Sequence, residues 1–159
     1  MGHWAYRACK ALPEAIVYSI DPWYDPADKP RFKNRKRIGW VSGDDNFREW
    51  ITNLKQYENR VVAIRKTSEE ASKDFDLPID LLFIDGDHHT NFVLKDLRFW
   101  VPKVKPGGLV VGHDYGDRNW GPQIKKALDI FWPKGNYKVG PLYFNYKKST
   151  GICFWKKIE

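Results

Sequence analysis

The run Ile79-Asp80-Leu81-Leu82-Phe83-Ile84 stops abruptly in Asp85-Gly86-Asp87-His88-His89, and Gly108-Leu109-Val110-Val111-Gly112 stops the same way in His113-Asp114. A short, nearly continuous apolar run needs cover on both faces, the environment of a strand in a parallel sheet flanked by helices. Two more segments follow the pattern. AIVYSI (15–20) runs into Asp21-Pro22, and VVAIR (61–65) runs into Lys66-Thr67-Ser68.

Helical spacing fills the intervals. Residues 3–12 form one predicted helix, and Phe47, Trp50, Ile51, Leu54 and Tyr57 mark a second after the potential caps Asp44 and Asp45. A short helix is expected over 68–75. Val93, Leu94, Leu97, Trp100, Val101 and Val104 mark another, ending near Pro102 or Lys105 because Pro106 and Gly107-Gly108 cannot continue it. Gly121-Pro122 opens a helix carrying Ile124, Leu128 and Phe131. Two last strands, about 137–146 and 151–157, flank the turn-like Lys147 to Gly151 and add an antiparallel hairpin. Residues 22–45, with prolines at 22, 26 and 30, read as a long loop or excursion. The expectation is an α/β chain with a mostly parallel sheet, helices on both faces and a C-terminal antiparallel hairpin. At 159 residues it should be one domain, 1–159.

Composition narrows the function classes. An apolar fraction of 42% with 16% aromatic residues excludes intrinsic disorder. No apolar run approaches the roughly 20 residues that span a bilayer, and the first residues lack a signal-peptide core, so a soluble cytoplasmic protein with no membrane partner is expected. Cys9 and Cys153 lie far apart, which suggests neither a zinc site nor a disulfide framework. The net charge of +7 is concentrated in Lys29, Arg31, Lys33, Arg35, Lys36 and Arg37 and near the C-terminus, and it favours anionic partners.

In open sheets of this kind ligands bind beyond the carboxyl ends of the strands. The exits are Asp21, Arg65 to Ser68, Asp85 to His88, and His113-Asp114, all expected on one rim. Asp85, Asp87, His88, His113 and Asp114 leave adjacent strand ends, so carboxylates and imidazoles could converge on one cation or one substrate. The plainer alternative is that Asp85 and Asp114 cap the helices that follow. Asp21 suits ribose, whose two hydroxyls match the two oxygens of a carboxylate after a nucleotide-binding strand. Gly2 stands 19 residues before it. A turn acid before Pro22 is the structural alternative.

The segments YSIDPW, SEEA, IDLLFIDGDHHTNFVLKDLRFWVPKVKPGGLVVGHDY and STGICFWKK resemble the class I S-adenosylmethionine-dependent methyltransferases, with 80–115 as the specific part. The subgroup resembled is the small-molecule O-methyltransferase-like group, akin to cephalosporin-hydroxylase-type proteins. The resemblance implies a Rossmann-like fold, S-adenosylmethionine as cofactor and a small-molecule acceptor. It assigns Asp21 to the cofactor ribose, Thr67 and Ser68 to the adenine side, and Gly2 to the end of a glycine loop whose other residues and preceding strand would lie upstream of Met1. Asp85, also beside the cofactor, and His113 with Asp114 occupy the places where metal-dependent members hold a divalent cation such as Mg²⁺. An imidazole replaces one carboxylate of that set. His88 stands where those members carry a lysine that deprotonates the acceptor hydroxyl. A sheet missing its middle strand would expose two edges, so a homo-oligomer is expected.

Two other function classes fit parts of the sequence. Asp85-Gly86-Asp87 matches the D-x-D element with which glycosyltransferases hold a metal and a nucleotide sugar. The basic run with Trp23, Tyr24, Phe32 and Trp40 interleaved suits a non-catalytic module binding nucleic acid or another polyanion. The same surface would also suit an enzyme with an anionic acceptor.

Overall fold

A computed structural model describes residues 2–23, 43–141 and 152–159. The basic run at 29–37 and the hairpin turn at 147–151 lie outside these residues. The contacts gather in two compact units, Met1–Ala71 and Ser72–Glu159.

In the first unit, α1 (His3–Ala11) leads to β1 (Val17–Ile20), and α2 (Gly43–Leu54) leads through a 3-10 turn to β2 (Val61–Ile64). β1 and β2 pair in parallel, Val17 opposite Val61 and Ile20 opposite Ile64. The alternating residues Val17, Val61 and Ala63 pack on a cluster of Ala5, Trp23, Trp50 and Leu54. Trp23 lies 4.8 Å from Phe47 and 5.5 Å from Trp50, ring centre to ring centre. Gly2 is required where α1 meets α2: it has a φ of 79°, and an added Cβ would stand 2.9 Å from Trp50 Cδ1. Arg60 closes the far end of α1 by donating to the carbonyls of Leu12 at 2.9 Å and Ala15 at 3.2 Å, and also to that of Cys9. Of these, Cys9 lies in the last turn of α1, where carbonyls lack an intrahelical partner, and the Leu12 carbonyl also accepts from the Ala15 amide at 3.2 Å.

A short helix, α3 (Ser68–Asp74), spans the boundary between the units. The second unit then contains β3 (Ile79–Ile84), α4 (Thr90–Trp100), β4 (Val104–Gly112), α5 (Gly121–Phe131), β5 (Lys138–Pro141) and β6 (Ile152–Lys157). Its sheet runs in the order β3-β4-β6-β5, parallel between β3 and β4 and antiparallel elsewhere. The described strands therefore form two sheets, the larger with the antiparallel edge expected from the C-terminal segments. Residues of one sheet face, Val110 and Phe154 among them, pack with Val93 and Leu97 of α4 and Ile124 and Leu128 of α5. Leu97 is fully buried, and truncation of such a side chain costs about 2–5 kcal/mol.

The structure corrects the expected boundary before β4. The helix stops at Trp100, a 3-10 turn covers Val101–Lys103, and the strand already begins at Val104 rather than 108. Between paired positions the ladder jumps from Ile79 opposite Val104 to Leu81 opposite Leu109. Pro106, which has no amide hydrogen for the ladder, and Gly107, at a φ of 83°, occupy this bulge. At the other end of β4, an added Cβ on Gly112 would come within 2.0 Å of Phe154 Cε1. Only glycine lets β6 seat that ring behind the strand exit.

Candidate functional site

β3 and β4 run side by side and end together, Ile84 opposite Gly112, and the amide of His113 extends the ladder by donating to the Ile84 carbonyl at 3.1 Å. The residues that follow are thus held at one end of the sheet. Asp85, His113 and Asp114 each direct one ligand atom into a group whose members lie within 4.8 Å of one another. His113 Nδ1 is 2.7 Å from Asp114 Oδ1 and 3.8 Å from Asp85 Oδ1. His88 completes the cluster, with Nε2 3.2 Å from Asp114 Oδ2 and 3.6 Å from Asp85 Oδ1.

Neither Asp85 nor Asp114 caps a helix. The N-cap positions of α4 and α5 are His89 and Trp120, and neither makes a side-chain capping bond. The local turns use different acids. Asp87 Oδ1 accepts from the His89 amide at 3.1 Å and lies 2.6 Å from His89 Nδ1, while Asp117 Oδ1 accepts from the amides of Asn119 at 2.8 Å and Trp120 at 2.9 Å. These amide bonds hold the Asp117 carboxyl below the usual range, the Trp120 contact first and the Asn119 contact second. Asp114 has a φ of 58°, a left-handed conformation uncommon outside glycine, and such conformations concentrate at functional sites.

The His88 side chain is largely covered, and its Nε2 is buried without a completed hydrogen bond to either neighbouring carboxylate. Its pKa is nevertheless raised above the ordinary histidine value. Polar contact with Asp85 is the main cause, opposed by burial and reinforced by the charges of Asp114, Asp85 and Asp87. A cavity of about 10 Å³, lined by Asp85, Asp87, His88 and His113 and floored by Ile124 and Phe154, has room for one water-sized occupant. The buried thiol of Cys153 is pushed up to about 11, first by burial and then by the negative charges of Asp114 and Asp85. It remains protonated near neutrality.

The assignments in the first unit look different. Asp21 Oδ1 accepts from the Trp23 amide at 2.7 Å, and Trp23 takes the unusual φ of 46° that this turn demands. Thr67 Oγ1 donates to Glu70 Oε2 at 2.6 Å and accepts from the Glu70 amide at 3.2 Å, while the Thr67 amide donates to the same Glu70 oxygen at 2.9 Å. This is a capping box that starts α3 at Ser68. Gly2 serves the close approach of two helices. Each of these residues has a visible structural role.

The residue missed by sequence reasoning is Trp120. Its exposed indole stands 4.9 Å from the His89 ring and 5.9 Å from the His88 ring. The available signal was a tryptophan immediately before the Gly121-Pro122 helix start, in the connection that leaves Asp114.

The described fold is shared with O-methyltransferases of known structure. One is NovP, at 17% identity and a TM-score of 0.62, covering 94% of this chain and 63% of that one. Another is TomG from Streptomyces achromogenes, involved in tomaymycin synthesis and solved with S-adenosylmethionine, at 11% identity and a TM-score of 0.60, covering 99% of this chain and 69% of that one. A methyltransferase-domain family model matches residues 1–115, and the chain belongs to that family, in the class I S-adenosylmethionine-dependent group. An uncharacterized protein of Sinorhizobium fredii, y4gI, is 30% identical over 116 residues, which make up 72% of this chain but 12% of that protein. An uncharacterized mimivirus protein, R132, is 43% identical over 51 residues, 32% of this chain and 23% of the relative. The chain therefore spans a minor part of these curated relatives.

Proposed function

We propose that the protein transfers a methyl group from S-adenosylmethionine to a hydroxyl of a small molecule, with Asp85, His113 and Asp114 holding a divalent cation and His88 serving as general base. The observation that carries this reading is the convergence of these four side chains at the exits of two adjacent parallel strands, with neither Asp85 nor Asp114 committed to a helix cap. The donor set fits a cation: two carboxylates and an imidazole within mutual reach suit a divalent ion of intermediate hardness, and a positive charge between the acids removes their repulsion. Mg²⁺ favours an all-oxygen shell, so the imidazole favours an ion such as Mn²⁺ over it.

When bound, S-adenosylmethionine supplies an electrophilic methyl group and the cation supplies positive charge beside the acceptor oxygen. His88 would take the acceptor's proton on its imidazole as the hydroxyl oxygen accepts the methyl group, the donor sulfur keeping the electron pair of the broken C–S bond. A cation held between Asp85 and Asp114 would offset the negative charges that raise the His88 pKa, favouring the neutral imidazole that a general base requires. Asp85, Gly2, Asp21, Thr67 and Ser68 are the residues that the resemblance assigns to the cofactor, and they would hold it when it is bound. Asp21 would offer Oδ2 to ribose, since Oδ1 is engaged by Trp23. A second copy of the chain is a partner in this reading, because β3 has a ladder partner on only one side among the described residues.

The test is calorimetric titration with S-adenosylhomocysteine, with and without Mg²⁺ or Mn²⁺, on the chain and on Asp21→Ala. Saturable binding weakened about 10–100-fold by the substitution is expected, the range for a lost hydrogen bond to a charged group. Absence of binding here and in a longer chain with additional N-terminal residues would remove the basis of the proposal.

A further inference from the structure

We infer that Trp120 is the platform on which the acceptor lies, and that the acceptor is a planar aromatic hydroxyl compound stacked on its indole beside His88 and His89. The inference rests on the methyltransferase reading for the fate of the hydroxyl, and on independent geometry for the ring.

Three aromatic rings gather at the mouth of the cluster. The Trp120 indole is tilted 32° from the His88 ring at 5.9 Å and set edge-on, at 66°, to the His89 ring at 4.9 Å. A large apolar side chain that stays 36% exposed beside half-buried and exposed acids and imidazoles gains less from burial than it would in the core. Its backbone is nevertheless held in place. The Trp120 amide is held by Asp117 Oδ1, the Asp117 amide donates to the Asp114 carbonyl at 3.0 Å, and the Trp120 carbonyl accepts the first amide bonds of α5, from Gln123 and Ile124, each at 2.9 Å. The indole is thereby tied through its own backbone to Asp114, one of the proposed cation ligands. A ring on so constrained a backbone has only its side-chain torsions to lose when another ring stacks on it.

The surrounding polar groups select an aromatic ligand over a hydroxyl-rich one. His89 Nδ1 is engaged by Asp87, and Asp117 Oδ1 accepts two backbone amides. A sugar on the same platform would need polar partners around its rim, and these two atoms beside the indole are committed to the protein's own turns. An aromatic ring needs only a face and an edge, the arrangement that aromatic pairs prefer. With its ring on Trp120, the acceptor can place its hydroxyl toward His88, the imidazole that touches both the indole and the acid cluster.

The test is binding of 2-naphthol, its saturated counterpart decahydro-2-naphthol, and methyl glucoside, read by calorimetry or saturation-transfer NMR on the chain as it stands. Expected results are saturable 2-naphthol binding, at least about tenfold weaker binding of the two non-aromatic probes, a loss of about tenfold in Trp120→Ala, and retention within about threefold in Trp120→Phe; stacking contributions of this size motivate the figures. Trp120→Phe also guards against misfolding of the alanine variant, because it keeps a ring on the same backbone. Equal affinity for 2-naphthol and decahydro-2-naphthol, tighter binding of the glucoside, undiminished 2-naphthol binding in Trp120→Ala, or no 2-naphthol binding at all would each overturn the inference. S-adenosylhomocysteine titrated separately into Trp120→Ala distinguishes the two claims. Its failure to bind both this variant and the unsubstituted chain counts against the methyltransferase reading, while the aromatic probes report on the platform alone.

Discussion

The strand exits of the two units begin from the same sequence pattern and end in different chemistry. After β1 and β2, Asp21 folds back onto the amide of Trp23 and Thr67 closes a capping box with Glu70. After β3 and β4, Asp87 and Asp117 perform that turn chemistry, and Asp85, His88, His113 and Asp114 are left facing one another. A polar residue at a strand end thus has two fates. Backbone amides within two or three residues claim it when the turn permits. Otherwise it meets the side chains of the neighbouring strand's exit, which it does only when two parallel strands end in register.

The comparison breaks most easily at the acid cluster. Asp85→Asn or Asp114→Asn should weaken Mn²⁺ binding, followed by calorimetry or paramagnetic relaxation, beyond the roughly 10–100-fold that changes outside the ligand shell cost. Binding unchanged in both variants would place these acids with the structural ones. The contrasting substitution lies in the first unit. Thr67→Ala should reduce unfolding free energy by about 1 kcal/mol through loss of the cap, measured by denaturant titration, and leave Mn²⁺ affinity unaltered.

A pH series gives the smallest and sharpest distinction. The folded-state pKa of His88 is raised above the ordinary value of about 6.5, so the folded protein holds this proton more tightly than the unfolded chain. Its contribution to stability is fully present below about pH 6.5 and is lost as pH climbs through the raised value. Stability of the cation-free protein should therefore fall over that window, and His88→Gln should remove this part of the slope. A slope identical in the variant would mean that the acids around Nε2 do not hold the proton.

Much of the strand and helix order was legible because period and length suffice: AIVYSI, VVAI, LLFI and LVV are strand-length apolar runs, and Val93, Leu97 and Trp100 recur at helical spacing. The start of β4 was not legible. Lys105-Pro106-Gly107-Gly108 reads as a break, and only the ladder to β3 absorbs it as a bulge. Asp85, His88, His113 and Asp114 were identifiable as a group from their place after two strands. Their separation from Asp87 and Asp117 was not, since all six are acids or histidines in similar loops. Trp120 escaped notice because an aromatic residue in sequence is most simply a core residue.

Sequence alone determined the alternation of strands and helices, the chemical types at each exit and the methyltransferase resemblance, because these depend on periodicity and on order along the chain. Tertiary structure decided which acids are spent on turns, which remain available at the end of β3 and β4, and that the Trp120 indole stands at the mouth of the cluster rather than in the core. Those outcomes depend on register between distant segments and on competition for nearby backbone amides, two quantities set by distances in space.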